Sequence, residues 1–555
     1  MENNEELDKR ITLVLVIHNY KTTVSKKKAM ENSNYFNSLL SGNFPDYNLE
    51  EHSIKYEISI ETFQNFIDWI DSTGLENKNS KYICPDSEKI FKKISNNYDN
   101  LLELLDTSVL FISDKLSRQL TQIIIKNWLL PDKLFQLWKF AEERSLFTLK
   151  DVVFETYLDR FYDVPEEELK QLPLKNLKEL VTNCNFTNRS KLLGFINSKL
   201  SSQSSTDPTD LGFLDKISGL DFDDKNNKPE YAQCVVSYKL NNENKKVYCV
   251  HWWKDRKFME IDGFNAIFDL LDAGQQVFGR RIIGRRFSIY VIGGEKGIGT
   301  GRFIKSIWRF CLISRTWYHV TELPTARRHM IAEILGQDIY LLGGVGSFRV
   351  KLSSAEAFNL HTNKWTTLLD VPEEFTDTPP SCVINKTIVY SSKKHWVYYP
   401  EYNEWYPIED PTEKLRPYTE YYALVTQPST EDQFMFYAMK VSNSGDDEGN
   451  SVIDIFEKIA PTNRCSKTFF ITDSRRSFNR RFYRHIYSGR ELVSFSCEDN
   501  KIIIETESYW HGLLRENDTH YFTQTVDDIN PSLFDNNLGC FNVIDPDTLH
   551  KTIIY

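Results

Sequence analysis

One phrase occurs twice in this chain. Ile289-Tyr-Val-Ile-Gly293-Gly294 returns fifty residues later as Ile339-Tyr-Leu-Leu-Gly343-Gly344. A tryptophan follows each copy, Trp317 and Trp365, forty-eight residues apart. A worn third copy, Ile388-Val-Tyr-Ser-Ser392, is followed by Trp405, and further strand-like runs start near Val247, Phe434 and Glu491. A period near fifty is too long for a helical-hairpin repeat and suits a four-stranded propeller blade. The spacing predicts about six units of ~40–60 residues. Gly293, Gly294, Gly343 and Gly344 allow close backbone approach. Trp317, Trp365 and Trp405 are read as filling space between neighbouring blades. These seven residues are scaffold in this reading, not ligand contacts. A ring of blades leaves few exposed strand edges. The segment 540–555 reads as a final strand pair, and the sequence leaves open which strand closes the ring.

Before residue 200 the pattern is helical. Leu134, Leu137, Trp138 and Ala141 stand at i, i+3, i+4 and i+7, one apolar helix face, with Asp132 behind Pro131 as the expected N-cap. Further helices are expected at 61–70, 149–161 and 176–182, and a buried strand at 11–17. A polar, low-complexity run at 201–210 reads as a linker. No apolar run approaches the ~20 residues needed to span a bilayer. The acidic start, Met1-Glu2-Asn3-Asn4-Glu5-Glu6, lacks the basic segment of a signal peptide. Nine scattered cysteines without CxxC spacing fit reduced thiols of a cytoplasmic protein, not disulfides or a zinc site. With 67 Lys plus Arg against 78 Asp plus Glu, the net charge of −11 argues against bulk nucleic-acid binding.

No GxSxG, HExxH or Walker-type loop is present. The glycine-rich run 293–301 ends in Arg302 and follows a repeat strand, so it is read as a blade loop. The histidines lack ligand spacing, and neither metal nor cofactor is expected. Two basic clusters stand out. Arg475, Arg476, Arg480, Arg481, Arg484 and Arg490 lie within 16 residues, interleaved with Phe478, Phe482, Tyr483 and Tyr487. Either they grip an acidic peptide through bidentate contacts, or they form a solvated face paired with Asp473 and Glu491. Arg280, Arg281, Arg285 and Arg286 pose the same choice.

Leu323-Pro-Thr-Ala-Arg327-Arg-His329, Ile339-Tyr-Leu-Leu-Gly-Gly and the stretch 358–365 together resemble kelch repeats. At the front, Asn32-Ser-Asn-Tyr-Phe36, Ser41-Gly42, the stretch 63–74 and Leu101-Leu-Glu-Leu-Leu-Asp106 resemble a BTB domain. Asn34 replaces the family's Pro, Ser25-Lys26 its His-Lys, and Asp71-Ser-Thr-Gly74 its Tyr-Thr-Gly. A polar insertion occupies 76–86. Asn127-Trp-Leu-Leu-Pro-Asp-Lys-Leu-Phe-Gln-Leu-Trp-Lys-Phe-Ala-Glu-Glu143 and 172–180 resemble a BACK domain. The skewed composition and eroded repeats are most similar to poxvirus kelch-like proteins. The resemblance implies a multidomain α+β and all-β chain. Its parts are an α/β BTB/POZ domain (1–126), a helical BACK domain (127–215), a linker (216–232) and a kelch β-propeller of about six blades (233–555).

Such proteins dimerise through BTB and bind cullin-3 through BTB and BACK. They present a substrate on the propeller and perform no chemistry themselves. The implied function is substrate adaptor of a cullin-3 ubiquitin ligase in the host-cell cytoplasm, with a host protein of unknown identity as substrate and no nucleic-acid or membrane partner. The implied cullin contact is Phe44 and Asp46, where the family has an apolar-x-Glu motif, with Phe36, Leu39 and Leu40 nearby. The alternative for Phe36, Leu39 and Leu40 is plain core. The expected substrate-binding set is Arg475, Arg476, Arg480, Arg481 and Arg484. The alternative function is a dimeric scaffold or decoy that sequesters a cytoskeletal or signalling protein.

Overall fold

The computed structural model describes residues 9–41, 49–72, 85–181, 189–202, 231–240, 246–272, 274–379, 381–384, 386–392 and 394–408. It also describes the strand segments 420–425, 435–442, 452–461, 469–472, 484–488, 491–498, 501–510, 513–525 and 540–544. The chain divides into two units, Met1–Thr206 and Asp207–Tyr555. The expected linker residues 203–210 and 216–230 lie outside the described residues.

In the first unit a strand, β1 (Arg10–Leu15), lies between β2 (Tyr20–Ser25), antiparallel to it, and β3 (Glu51–Ile54), parallel to it. Ile11, Leu13 and Leu15 point into the core. The strand expected over 11–17 stops at Leu15. Val16–His18 form a 3₁₀ turn closed by Asn19 at φ 46, which leaves Val16 and Ile17 exposed. Asparagine tolerates this left-handed conformation better than most residues.

Helices α1 (Lys26–Asn32), α2 (Asn34–Leu40), α3 (Ile60–Ser72), α4 (Pro85–Ile94), α5 (Tyr98–Leu110) and α6 (Asp114–Asn127) complete this layer. Phe63, Phe66, Ile67 and Ile70 of α3 are buried, as the periodicity predicts. The Glu103 carboxylate receives the Ser59 N–H (2.8 Å), the Ser59 hydroxyl (3.0 Å) and the Thr62 hydroxyl (2.8 Å). A carboxylate at the N-terminus of α3 satisfies orphan donors and favours the helix dipole. The buried Trp69 indole N–H donates to Gln119 Oε1 (2.9 Å) and ties α3 to α6.

Next come α7 (Leu134–Glu143), α8 (Phe147–Arg160), α9 (Glu166–Gln171), α10 (Leu174–Val181) and α11 (Arg189–Ser202). Leu134, Leu137, Trp138 and Ala141 are buried, with the Trp138 ring 5.6 Å from Phe154 and 5.0 Å from Tyr157. This stripe is core. Asp132 does not cap α7. The preceding residue is Lys133, whose backbone is already helical (φ −111, ψ −13), and no side chain caps the helix. The entry turn leaves no extended residue at which a cap could act.

The second unit holds six four-stranded antiparallel sheets among the described residues. Blade two is Arg281–Arg285, Ser288–Ile292, Ser306–Cys311 and Thr316–Glu322. Blade three is Ile331–Leu335, Asp338–Leu342, Ala355–Asn359 and Lys364–Leu368. Blade four is Ser381–Ile384, Thr387–Ser391, His395–Tyr399 and Glu404–Ile408. Blade five runs from Glu420–Val425 to Phe469–Thr472, and blade six from Arg484–Ser488 to Leu513–Thr525.

Blade one joins strands from both ends of the second unit and closes the ring. Cys540–Ile544 pairs with Tyr231–Leu240, which continues to Lys246–Lys254 and Lys257–Glu260. Of the strand pair expected at 540–555, Cys540–Ile544 is one strand, and 545–555 lie outside the described residues. The blades touch in cyclic order through their first strands, from Cys540–Ile544 of blade one round to blade six, whose first strand meets Tyr231–Leu240 of blade one. This is propeller geometry. In Asp338–Leu342 the period-two alternation has two buried sides. Ile339 and Leu341 pack toward blade two, while Tyr340 and Leu342 pack toward blade four. No helix among the described residues is long and apolar enough to cross a membrane.

Candidate interaction surfaces

The residues expected to meet cullin divide in the structure. Ser33 caps α2: its hydroxyl accepts the Phe36 N–H (3.2 Å) and donates to the Phe111 carbonyl (2.6 Å). That anchor turns Phe36 inward, where its ring stacks 5.3 Å from Phe111 and 6.4 Å from Phe66. Phe36 and Leu40 are fully buried, so both are core and neither offers surface to a partner. Leu39 is half-buried. Phe44 and Asp46 lie outside the described residues. Beside α2 an aromatic, apolar surface remains. Tyr35 meets Tyr56 edge-on (6.2 Å) and Phe111 (5.2 Å), while Tyr56 is 39% exposed and Ile112, at φ 49, is 50% exposed. Burial, then the neighbouring Tyr56, pushes the Tyr35 hydroxyl above its ordinary pKa.

In the propeller the repeated phrase produces repeated backbone. Gly293 and Gly343 sit at φ 60 and 58, Gly294 and Gly344 at φ 99 and 98. A side chain on Gly344 would stand 2.6 Å from the Arg328 carbonyl and 2.9 Å from the Met330 nitrogen. The tryptophans pack in the propeller as follows. Trp317 lies 5.0 Å from both Phe264 and Phe310. Trp365 lies 5.0 Å from Phe358. Trp405 lies 4.7 Å from Tyr398 and donates to the Leu369 carbonyl (3.3 Å).

The arginines of the 280s are not a gripping surface. Arg280 is fully buried, pairs with Asp272, and stacks over Tyr248 and Phe268 at 5.3 and 5.1 Å. Arg281 is also buried, and Arg285 donates to the Gly336 carbonyl (2.6 Å). Arg327 is a second internal tie. It donates to the Gly343 carbonyl (3.0 Å), the Ser354 carbonyl (2.9 Å) and Glu356 (2.8 Å). Burial lowers its pKa, against the raising effect of Glu356. At the seam of blades three and four, Glu333 accepts the Ser381 hydroxyl (2.6 Å), and burial pushes its carboxyl up. Arg475, Arg476, Arg480 and Arg481 lie outside the described residues. Arg484 opens the first strand of blade six, and its side chain lies outside them too.

The glycine-rich loop binds its own carboxylate. Glu295, 2% exposed, accepts the Gly299 N–H (3.1 Å) and the Gly301 N–H (2.8 Å), and pairs with Arg328 (3.2 Å). Donors that could have cradled a phosphate are therefore engaged. Folded this way, the loop 296–305 presents Ile298 to solvent, 56% exposed. The equivalent loop of blade three carries Phe348, 99% exposed, and Val350, 55% exposed. The Arg349 guanidinium lies 3.3 Å from where a Gly299 side chain would begin, so the two loops are neighbours. Phe348 and Arg349 both stand in left-handed backbone, at φ 57 and 60. Sequence reasoning missed this surface. An aromatic residue in a strand-rich chain reads as core, and the cations fall into two groups fifty residues apart. The register of the Gly-Gly repeat is the signal that would have joined them. Among the described residues no three His, Cys, Asp or Glu side chains converge as a metal site.

Residues 288–324 and 326–368 match the Kelch motif family. The second range coincides with blade three, and the first with the last three strands of blade two. Over 87 residues, 15% of the chain, the sequence is 30% identical to an F-box/kelch-repeat protein of Arabidopsis thaliana. The chain spans 18% of that relative's length. A solved structure, that of YjhT, is similar at 11% identity over 44% of this chain and 80% of that one, with a TM-score of 0.31. The second unit thus carries two matched kelch motifs, in blades two and three.

Proposed function

We propose that the chain is a non-catalytic substrate adaptor of a cullin-3 ubiquitin ligase. In this reading the first unit is a BTB domain followed by a BACK domain. It forms a homodimer and holds cullin-3, while the propeller recruits a host protein in the cytoplasm. Tethering would make ubiquitin transfer quasi-intramolecular by raising effective concentration. The observation that carries the reading is the aromatic, apolar surface made by half-buried Tyr35 of α2 with exposed Tyr56 and Ile112. It adjoins the helix that leads into Phe44 and Asp46, and surfaces of this kind act as binding hot spots. The test is calorimetric titration of the full chain with the N-terminal domain of cullin-3. Phe44→Ala is expected to weaken binding by ~2 kcal/mol or more with the fold intact, and unchanged affinity would remove Phe44 from the contact.

A specific observation favours a second reading. Burial of Phe36 and Leu40 removes two expected contacts, and Asp46 has an acidic arm one methylene shorter than Glu. The alternative is a dimeric scaffold or decoy that sequesters its partner on the propeller. It predicts no cullin binding by a folded, dimeric chain.

A further inference from the structure

The loops 296–305 and 347–351 carry Lys296, Arg302, Lys305, Arg349 and Lys351 and not one acidic residue, in a chain whose net charge is −11. None of these five cations has an ion pair among the described residues. By contrast, the neighbouring Arg280, Arg327 and Arg328 are buried and paired with Asp272, Glu356 and Glu295. The structure therefore spends its carboxylates on the inner arginines and leaves the outer cations open. Among them stand Ile298, Phe348 and Val350, all more than half exposed. Phe348 is held out by left-handed backbone that an aromatic residue rarely adopts. The neighbouring loop 296–305 is braced, because Glu295 holds its Gly299 and Gly301 N–H groups and Arg328 holds Glu295. An exposed aromatic anchor on a loop beside a braced loop of unpaired cations has the chemistry to recognise carboxylates flanking an apolar side chain.

We propose that this surface, on two neighbouring blades, docks an acidic protein segment with an apolar or aromatic residue at its centre. The inference rests on reading the second unit as the partner-binding module, and not on the cullin contact. Three exposed apolar side chains favour a protein segment over nucleic acid, whose backbone would call on the cations alone.

The test is display selection of random twelve-residue peptides on the full chain. Two variants serve as counter-targets: Arg302→Glu combined with Arg349→Glu, and Phe348→Ser. Circular dichroism checks folding, and the cullin-3 N-terminal domain is titrated into each protein. The enriched peptides should be acidic around an apolar or aromatic residue, and should bind either variant at least tenfold more weakly. Cullin affinity should be the same in all three proteins. Peptides that bind the variants equally well, neutral or basic peptides, or no enrichment at all would overturn the proposal. So would a twelve-nucleotide oligothymidine that binds the chain, fails on the charge-reversed variant and displaces the peptides. Selective peptide binding with no cullin binding in any of the proteins would support the proposal and sink the ligase reading alone.

Discussion

Blades three and four have the same four-stranded sheet but different sequences at the link between their second and third strands. In blade three the link runs from Gly343 to Ser354, and in blade four only from Ser392 to Lys394. The long link leaves the strand close against the preceding strap, where the Gly344 N–Cα–C stretch passes the Arg328 carbonyl and Met330. It therefore needs two consecutive left-handed residues. The short link turns directly, held by Ser391 Oγ against His395 Nδ1 (2.8 Å) and by Ser392 donating to Glu373 (2.6 Å). The glycine pair is thus a property of the long, outward-facing loop and not of the blade. The matched motifs cover blades two and three, where both loops are long.

The largest test exchanges the two solutions. Gly344→Ala should cost about 2–5 kcal/mol, the sum of left-handed strain and overpacking against backbone. Placing glycine at both 391 and 392 should also destabilise, by about 2 kcal/mol, through two lost hydrogen bonds. Denaturant unfolding measures both. A blade four stabilised by its glycines would contradict the comparison.

The seam between the two blades gives a pH-dependent test. Burial raises the Glu333 carboxyl in the folded state, so ionisation works against folding. The penalty is absent below the ordinary carboxylate pKa, grows as pH rises past it, and levels off above the raised value. Glu333→Gln keeps an acceptor for Ser381 and should raise the melting temperature at pH 7 more than at pH 4. An equal shift at both values would mean that the carboxyl is not penalised.

The smallest effect concerns Phe348. Phe348→Gly should relieve left-handed strain and raise stability by up to ~1 kcal/mol. A loss of stability would show that the ring packs within the fold instead of waiting for a partner.

Much of this architecture was legible from the residues. The Gly-Gly spacing fixed two blades, and the strand starts near Val247, Phe434 and Glu491 fall in the sheets of blades one, five and six. The helical stripe at Leu134, Leu137, Trp138 and Ala141 is core, as the periodicity implied. What was not legible has one cause: local pattern does not report what tertiary packing demands. Val16 and Ile17 continue an apolar run, yet the hairpin turn puts them outside. For Phe36 and Leu40 the sequence left surface and core both open, and the Ser33 cap turns them inward. For Arg280 and Arg281 the sequence left a gripping patch and paired charges both open, and Asp272 takes Arg280 into the fold. Phe348, which no sequence pattern singled out, is the most exposed of the large hydrophobic residues described.

The most direct measurement is sedimentation of the full chain mixed with the cullin-3 N-terminal domain. The account predicts one complex of two chains with two cullin domains, formed at micromolar concentration. A folded, dimeric chain that sediments apart from cullin would contradict it and leave the decoy reading in its place.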